Sequence, residues 1–443
     1  MRQKAFWIAA SCIVAVIGLR PVFSSGAAPA SAEKVIYSFT GGADGGQPMS
    51  DLTLDAEGNL YGTTSRGGSG TACNAGCGTV FELKRTQDGW KEQVLYSFAG
   101  SSDGATPEAG VVFDKAGSLY GTTIGGGSNQ GGTVFKLSPN SHGGWTETVI
   151  FAFDFGNSNT GMSPAADLVF DNHGNLYGTS SQGGSGGTSC NGNGCGSVFE
   201  LTPQASGSWK GTTIHLFEPN SSDGVVPSSG VVLDSAGNVY GETVYGGTGQ
   251  CYRGGINNNA YGCGTIYELT PNSGGSWTET VYSFARGGGF GIFPSGGLLF
   301  AQAGRLLSTT QQGGDGFGTV FELRESQKRG RQQSVLHRFY GHPDGVQPTG
   351  RLAEDAQGNL FGVSSNGGSR AKPFGYGTVF ELERSGDAWK ERVLYRFTGG
   401  TGATNPQTGL VLDKQGRLYG TTQFGGAGTA CNGGCGTVYE VAP

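Results

Sequence analysis

The sequence predicts an all-β chain folded as a seven-bladed β-propeller, with four-stranded blades and a ring closed by the N-terminal strand. Three observations predict it. A block of about 60 residues recurs seven times. Each block contains four strand-like runs. The chain also begins and ends with complementary pieces of one block.

The blocks are aligned by two landmarks. The Tyr of "GNLYGTT", or its stand-in, falls at Tyr61, Tyr120, Tyr177, Tyr240, Leu307, Phe361 and Tyr419. The Phe closing "VLYSF" falls at Phe39, Phe98, Phe153, Phe217, Phe284, Phe339 and Phe397. In the first block the strand-like runs are Leu52–Leu54, Leu60–Thr64, Thr79–Lys84 and Trp90–Phe98. Valine, threonine and aromatic residues alternate there with polar ones, and turn residues separate the runs. Helical periodicity is absent after the first 32 residues.

The first two runs are joined by Asp-x-x-Gly-Asn, as at Asp55–Asn59, Asp171–Asn175, Asp234–Asn238 and Asp355–Asn359. Asp caps such a turn through its side chain, so this recurrent carboxylate is read as structural. A Gly-Gly pair follows the Tyr landmark at a fixed distance in all seven copies, from Gly67 and Gly68 to Gly425 and Gly426. Glycine held at one offset marks positive φ or close packing. Tryptophans 90, 145, 209, 277 and 389 all start the fourth run and are read as packing residues.

Four antiparallel strands per repeat make a propeller blade. Ala32–Phe39 supplies only a fourth strand, and the last copy supplies only Leu410–Leu412, Leu418–Thr422 and Thr437–Val441. The N-terminal strand is therefore expected to complete the last blade and hide its edge. An open solenoid, the runner-up, gives no reason for complementary ends.

Residues 1–32 read as a secretory signal: Arg2 and Lys4, an apolar run from Ala5 to Leu19, then Ala30, Ser31 and Ala32. The apolar run is interrupted by Arg20 and Pro21, short of the ~20 residues of a membrane span. The mature domain is thus 33–443, expected to be a released monomer, extracellular or periplasmic, with no membrane span. Loss of Arg2, Lys4 and Arg20 takes the 28 basic residues to 25 against 34 acidic ones, a net charge of −9. No basic cluster offers a surface for nucleic acid.

Eight cysteines remain after the signal, all just beyond the Gly-Gly pair: Cys73 and Cys77, Cys190 and Cys195, Cys251 and Cys263, Cys431 and Cys435. They come in twos or are missing from a copy altogether, which predicts four local disulfides and an oxidising compartment. Each closes a small loop, worth roughly 2 kcal/mol on the chain-entropy model. The histidines, at 142, 173, 215, 337 and 342, show no metal-ligand spacing, so no metal is expected.

The pattern resembles the GloVer tandem-repeat family of secreted bacterial proteins. The resemblance rests on "GNLYGTT", the following Gly-Gly, "GTVFEL" (Gly78–Leu83, Gly318–Leu323, Gly377–Leu382) and "VLYSF" (Val94–Phe98), and covers residues 33–443. It implies export and repetition but no established activity, so it transfers no catalytic residue. Many members carry a C-terminal sorting anchor; this sequence reaches Pro443 without one, so release is the expectation.

A repeated feature explains the scaffold, so function is sought where one copy departs from the rest. Asp-Gly-x-x-Pro recurs at Asp44–Pro48, Asp103–Pro107, Asp223–Pro227 and Asp344–Pro348, but the series is broken at Thr160, Phe290 and Gly402. It is read as an Asp-initiated turn rather than a Ca²⁺-binding ring, and no cofactor is expected. Blades 4 and 5 depart most. The insert "VYGGTGQCYRGGINNNAYGCG" carries Tyr245, Tyr252, Arg253, Asn257, Asn258, Asn259 and Tyr261. The next loop adds Arg286, Phe290 and Phe293. Aromatic faces with amides and guanidinium suit sugar recognition. Glu242 stands where other copies carry Thr or Val, and is the one weak candidate for an acid or base. The expected function is binding of an extracellular glycan or a cell-surface protein. The alternatives are a polysaccharide-cleaving propeller with carboxylates at the channel mouth, or a structural surface protein.

Overall fold

The computed structural model describes residues 33–155, 161–184, 190, 193–219, 222–251, 262–287, 290–314, 316–326, 330–368, 375–386 and 388–443. The expected signal, residues 1–32, lies outside them. The described chain forms seven antiparallel sheets, each a propeller blade of four strands. Blade 1 runs Thr53–Leu54, Leu60–Thr64, Thr79–Thr86, Gly89–Ser97, paired in that order from the centre outward. No helix among the described residues is long and apolar enough to cross a membrane.

Ring closure is as the chain ends predict. Strand Glu33–Ser38 pairs antiparallel with Thr437–Val441, Lys34 opposite Glu440 and Val35 opposite Tyr439, and so forms the outer strand of blade 7. All four cysteine pairs are disulfides within one loop each.

The core lies between blades. The Phe ending each outer strand meets, edge to face, the third-strand aromatic of the next blade. Phe39–Phe81, Phe98–Phe135, Phe153–Phe199, Phe217–Tyr267, Phe284–Phe321, Phe339–Phe380 and Phe397–Tyr439 complete the circle at 5.1–5.3 Å between ring centroids. Both members of every pair are buried. The recurrent tryptophans also pack across junctions, Trp90 on Tyr419 and Trp209 on Tyr120.

One element differs from the sequence reading. Asp-Gly-x-x-Pro is more than a turn, because its second half is the start of the innermost strand. In blades 4, 5 and 7, Gly224–Pro227, Gly291–Pro294 and Ala403–Pro406 pair with the second strand. In blades 1 to 3 single bridges, such as Gly46 to Arg66, mark the same pairing. The inner strand then breaks after the proline and resumes, as at Val232–Leu233 and Val411–Leu412. Blade 6 runs continuously over Val346–Glu354, with a register shift between Thr349 and Ala353. Such a bulge re-aims the side chains it contains.

The residue before each proline has positive φ although none is glycine: Gln47, Thr106, Ser163, Val226, Phe293, Gln347 and Asn405, at 53–61°. This conformation is costly, more so for a β-branched residue such as Val226. It aims the N–H across the junction at a carbonyl of the preceding blade. Gln47 donates to Cys435 O at 2.7 Å, Val226 to Cys195 O and Phe293 to Cys263 O at 2.9 Å.

Closure yields a direct expectation. A chain starting at residue 41 lacks the outer strand of blade 7 and Phe39, and exposes the edge of Thr437–Val441. Its thermal midpoint is expected to fall by on the order of 10 °C against a chain starting at 33, with aggregation. Scanning calorimetry with light scattering measures this, and an unchanged midpoint without aggregation would refute closure.

Candidate functional site

The segments that follow the recurrent prolines in the seven inner strands surround a cavity of about 820 Å³. The residue three after each recurrent proline reads, around the ring, Asp51, Gly110, Asp167, Gly230, Gly297, Arg351 and Gly409. Charged residues lie over the glycine of the preceding blade. The Gly409 N–H donates to Asp51 Oδ1 and the Gly110 N–H to Asp167 Oδ1, each at 2.6 Å. A Cβ on Gly110 would stand 2.8 Å from Asp51 O, and one on Gly409 2.8 Å from Arg351 O. A side chain at Gly110 or Gly409 would therefore collide with the neighbouring inner strand.

Arg351 reaches toward Asp51, with 3.7 Å between Nη2 and Oδ2. Burial pushes the Asp51 carboxyl up to about 6, and the Asp167 carboxylate adds to this. Arg351 and the Gly409 amide act in the opposite sense. Glu108, also lining the cavity, is raised by burial. Ser228, Thr408 and Gln407 add neutral polar groups, and Leu168, Val231 and Leu298 add apolar surface. The channel therefore joins two interacting carboxylates and a guanidinium to hydroxyls and small apolar patches.

None of these charged residues was singled out in the sequence. Their signal is the position three after the recurrent proline, where four copies carry Gly and three carry charge. The residues that were singled out lie elsewhere. Tyr245 and Phe293 pack on each other, with ring centroids 5.6 Å apart, within the apolar cluster between blades 4 and 5. Arg286 and Phe290 are exposed on the following loop. Tyr252, Arg253, Asn257, Asn258, Asn259 and Tyr261 fall outside the described residues.

The Asp of Asp-Gly-x-x-Pro is held as an acceptor. The Tyr37 hydroxyl donates to Asp44 Oδ2 at 3.0 Å and the Thr40 N–H at 2.8 Å, with Tyr96 and Ala99 doing the same for Asp103. Beside each such Asp lies a Glu from the next outer strand. Burial, reinforced by the charge of the Asp, pushes Glu92 and Glu147 up to about 7.

A model of the Gloeobacter/Verrucomicrobia repeat matches residues 23–256 and 249–443. The chain belongs to this repeat family. No curated protein matches it in sequence. Among solved structures it is similar to PorZ of Porphyromonas gingivalis, a surface component of the type-IX secretion system, at 13% identity and a TM-score of 0.50. That match covers 88% of this chain and 46% of PorZ. It is similar to the periplasmic gluconolactonase of Pseudomonas aeruginosa at 14% identity and a TM-score of 0.45, covering 79% of this chain and 84% of that one. It is also similar to the aldose sugar dehydrogenase of Streptomyces coelicolor at 12% identity and a TM-score of 0.43, covering 94% and 99%. The likeness to PorZ is one of fold.

Within this repeat, Glu242 occupies a tie between blades. In five other copies the position is Thr, and in the sixth Val363; the Thr hydroxyl donates to an inner-strand carbonyl of the next blade, as from Thr63 to Ala109 O and Thr179 to Ser229 O at 2.9 Å and Thr421 to Ser50 O at 3.1 Å. Glu242 is fully buried and accepts from the Gly297 N–H at 2.6 Å and the Ser308 hydroxyl at 2.9 Å, both in blade 5. Ser308 itself stands where most other copies have Gly, so the two departures match.

Burial pushes Glu242 up to about 7 against these hydrogen bonds. The folded chain therefore keeps a proton that the unfolded chain releases above its ordinary range near 4.5. Stability from this group is present below 4.5 and is lost as pH rises through 7. Glu242→Gln keeps an oxygen for the Gly297 N–H, reverses the Ser308 bond so that the amide donates to Oγ, and removes the titration. Relative to wild type, its unfolding free energy is expected to gain roughly 3 kcal/mol between pH 4.5 and pH 8. Urea unfolding at several pH values checks this, and a difference that stays constant with pH would contradict it.

Proposed function

We propose that this chain is an exported binding protein whose central channel takes a polyhydroxylated ligand, the end of a glycan chain or an oligosaccharide. The observation that carries the reading is the convergence of Asp51, Asp167 and Arg351, from three different blades, on one cavity of about 820 Å³. That volume suits a small oligomeric ligand. Carboxylates accept from neighbouring sugar hydroxyls while a guanidinium donates to them. With its carboxyl raised to about 6, Asp51 accepts from sugar hydroxyls near neutral pH and gains a proton to donate only as the pH falls through 6. The channel, rather than the rim of blades 4 and 5, carries this reading because Tyr245 and Phe293 already pack against each other. Four disulfides agree with an extracellular or periplasmic location.

One observation favours a second reading, polysaccharide cleavage. Burial, with the Asp167 charge adding to it, holds the Asp51 carboxyl up at about 6, and a raised carboxyl beside a second acidic group is the arrangement a general acid uses.

A glycan array followed by calorimetry on the best ligand tests the proposal. Asp51→Asn, Asp167→Asn and Arg351→Ala are each expected to weaken binding about 10- to 100-fold with unchanged thermal midpoints. Unchanged affinity in all three would place the ligand elsewhere. Loss of turnover with retained binding in Asp51→Asn would favour the enzyme.

A further inference from the structure

Seven equivalent positions at the outer edge of the blade junctions share one frame. The residue two before each closing Phe is Tyr37, Tyr96, Phe151, His215, Tyr282, His337 or Tyr395. Opposite it, on the next outer strand, stand Glu92, Glu147, Gly211, Glu279, Gln333, Glu391 and Glu33 in the same order. In the junctions of Tyr37 and Tyr96 the frame is a scaffold, as the hydroxyl donates to the loop Asp at 3.0 Å. Histidine is too short and too differently shaped to reproduce that bond.

At the junction of blades 3 and 4, His215 Nε2 stands 3.6 Å from Asp223 Oδ1 and 3.4 Å from Glu279 Oε1. Both His215 Nε2 and Glu279 Oε1 are buried from solvent without a hydrogen-bond partner. A ligand atom from each of the three residues lies within 4.8 Å of the others. These spacings are long for hydrogen bonds. They fit the edges of a tetrahedron around a cation, because bonds of about 2.0–2.2 Å set ligand atoms roughly 3.3–3.6 Å apart. The Asp223 carboxylate is oriented from behind, by the Glu218 N–H at 2.8 Å and the Gly224 N–H at 2.7 Å.

We propose that His215, Asp223 and Glu279 form a site for a divalent transition cation of the zinc class, clamping blade 3 to blade 4. One imidazole and two carboxylates make a three-ligand zinc set with a fourth position for water. Calcium fits poorly, since it takes six to eight oxygen ligands. The sequence hides the site because its ligands come from two outer strands and the loop between them, 64 residues apart at the extremes by the numbering of His215 and Glu279.

Blades 5 and 6 repeat the residues but not the electrostatics. His337 Nε2 lies 3.5 Å from Asp344 Oδ2, and both it and Glu391 Oε1 lack partners. Arg396, however, bears on Glu391 and donates to Pro343 O at 3.2 Å. Ser283 occupies the corresponding place in blade 4. A fixed guanidinium beside the cluster opposes a second cation, so one site is expected.

The test uses the tag-free, disulfide-intact chain, stripped with a chelator and titrated with Zn²⁺ alone. Elemental analysis is expected to give one zinc per chain, with a raised thermal midpoint. His215→Tyr installs the residue of blades 1 and 2 and so protects folding. It and Glu279→Gln are each expected to weaken zinc binding about tenfold or more, while His337→Tyr leaves it unchanged. A metal-free midpoint of His215→Tyr equal to that of wild type shows that the loss is not unfolding. No zinc bound by wild type overturns the proposal. Equal binding by His215→Tyr, or loss in His337→Tyr instead, overturns it too.

Discussion

An edge-to-face contact between two aromatic rings, made once at every blade junction, is the interaction on which the rest of the molecule depends. A four-stranded blade alone leaves both faces uncovered, and a chain with 86 glycines has few large side chains to cover them. The ring solves this by placing one large residue from each side at each junction. Phe217 lies fully buried against Tyr267, and Phe39 against Phe81. Each pair is worth about 0.5–1.5 kcal/mol beyond its burial. Because every blade is covered only by its neighbours, the contact stabilises fully only in a closed circle. Strand Glu33–Ser38, followed by Phe39, accordingly pairs with Thr437–Val441 and completes blade 7.

The second demand is that adjacent blades be joined near the axis, where the strands are crowded. The seven residues with positive φ before proline meet it by turning their N–H groups across the junction. The unfavourable conformation is tolerated because it removes a buried donor from solitude and starts the inner strand on the correct side. The bulge that follows is the consequence that matters for function. The segments after the prolines line the channel, and Gly110 and Gly409 there leave no room for a side chain. Asp51, Asp167 and Arg351 fill the equivalent positions, and nothing in the aromatic ring requires that they be charged.

The sequence made the scaffold legible because repetition averages out drift. Seven copies of a Tyr, a Gly-Gly pair and a Phe located the strands, and complementary ends located the closure. Paired cysteines likewise located the disulfides, since each bridge lies within one loop. The site was harder to read, for a physical reason. Asp-Gly-x-x-Pro looked like a turn because a bulge interrupts the strand it opens, and the residues beyond the proline looked like the turn's remainder. Phe293 looked like a recognition residue for standing in an unusual loop, yet it packs on Tyr245 and bonds Cys263 through its backbone. The His215 frame was invisible because its partners belong to the next blade.

Departures from a repeat therefore fall into two kinds, separated by whether the neighbouring blade has changed to match. Glu242 is a large departure by residue type, a buried carboxylate in place of a threonine. Ser308 and the Gly297 amide receive it completely, so the tie between blades survives in altered form. Phe151 is likewise matched, because Gly211 replaces the opposing Glu and leaves room for its ring. His215 is not matched. Asp223 and Glu279 remain as the tyrosine junctions have them, and the imidazole gains no hydrogen bond from either. A change left unmatched in a buried place costs stability, and it persists only if something outside the repeat compensates for it. The channel charges differ again, since Asp51 and Asp167 each accept from a glycine amide, yet the Asp167 charge adds to burial in raising the Asp51 carboxyl. Matching explains how they are tolerated, but not why two carboxylates converge there, and a ligand at the axis supplies the reason that packing does not.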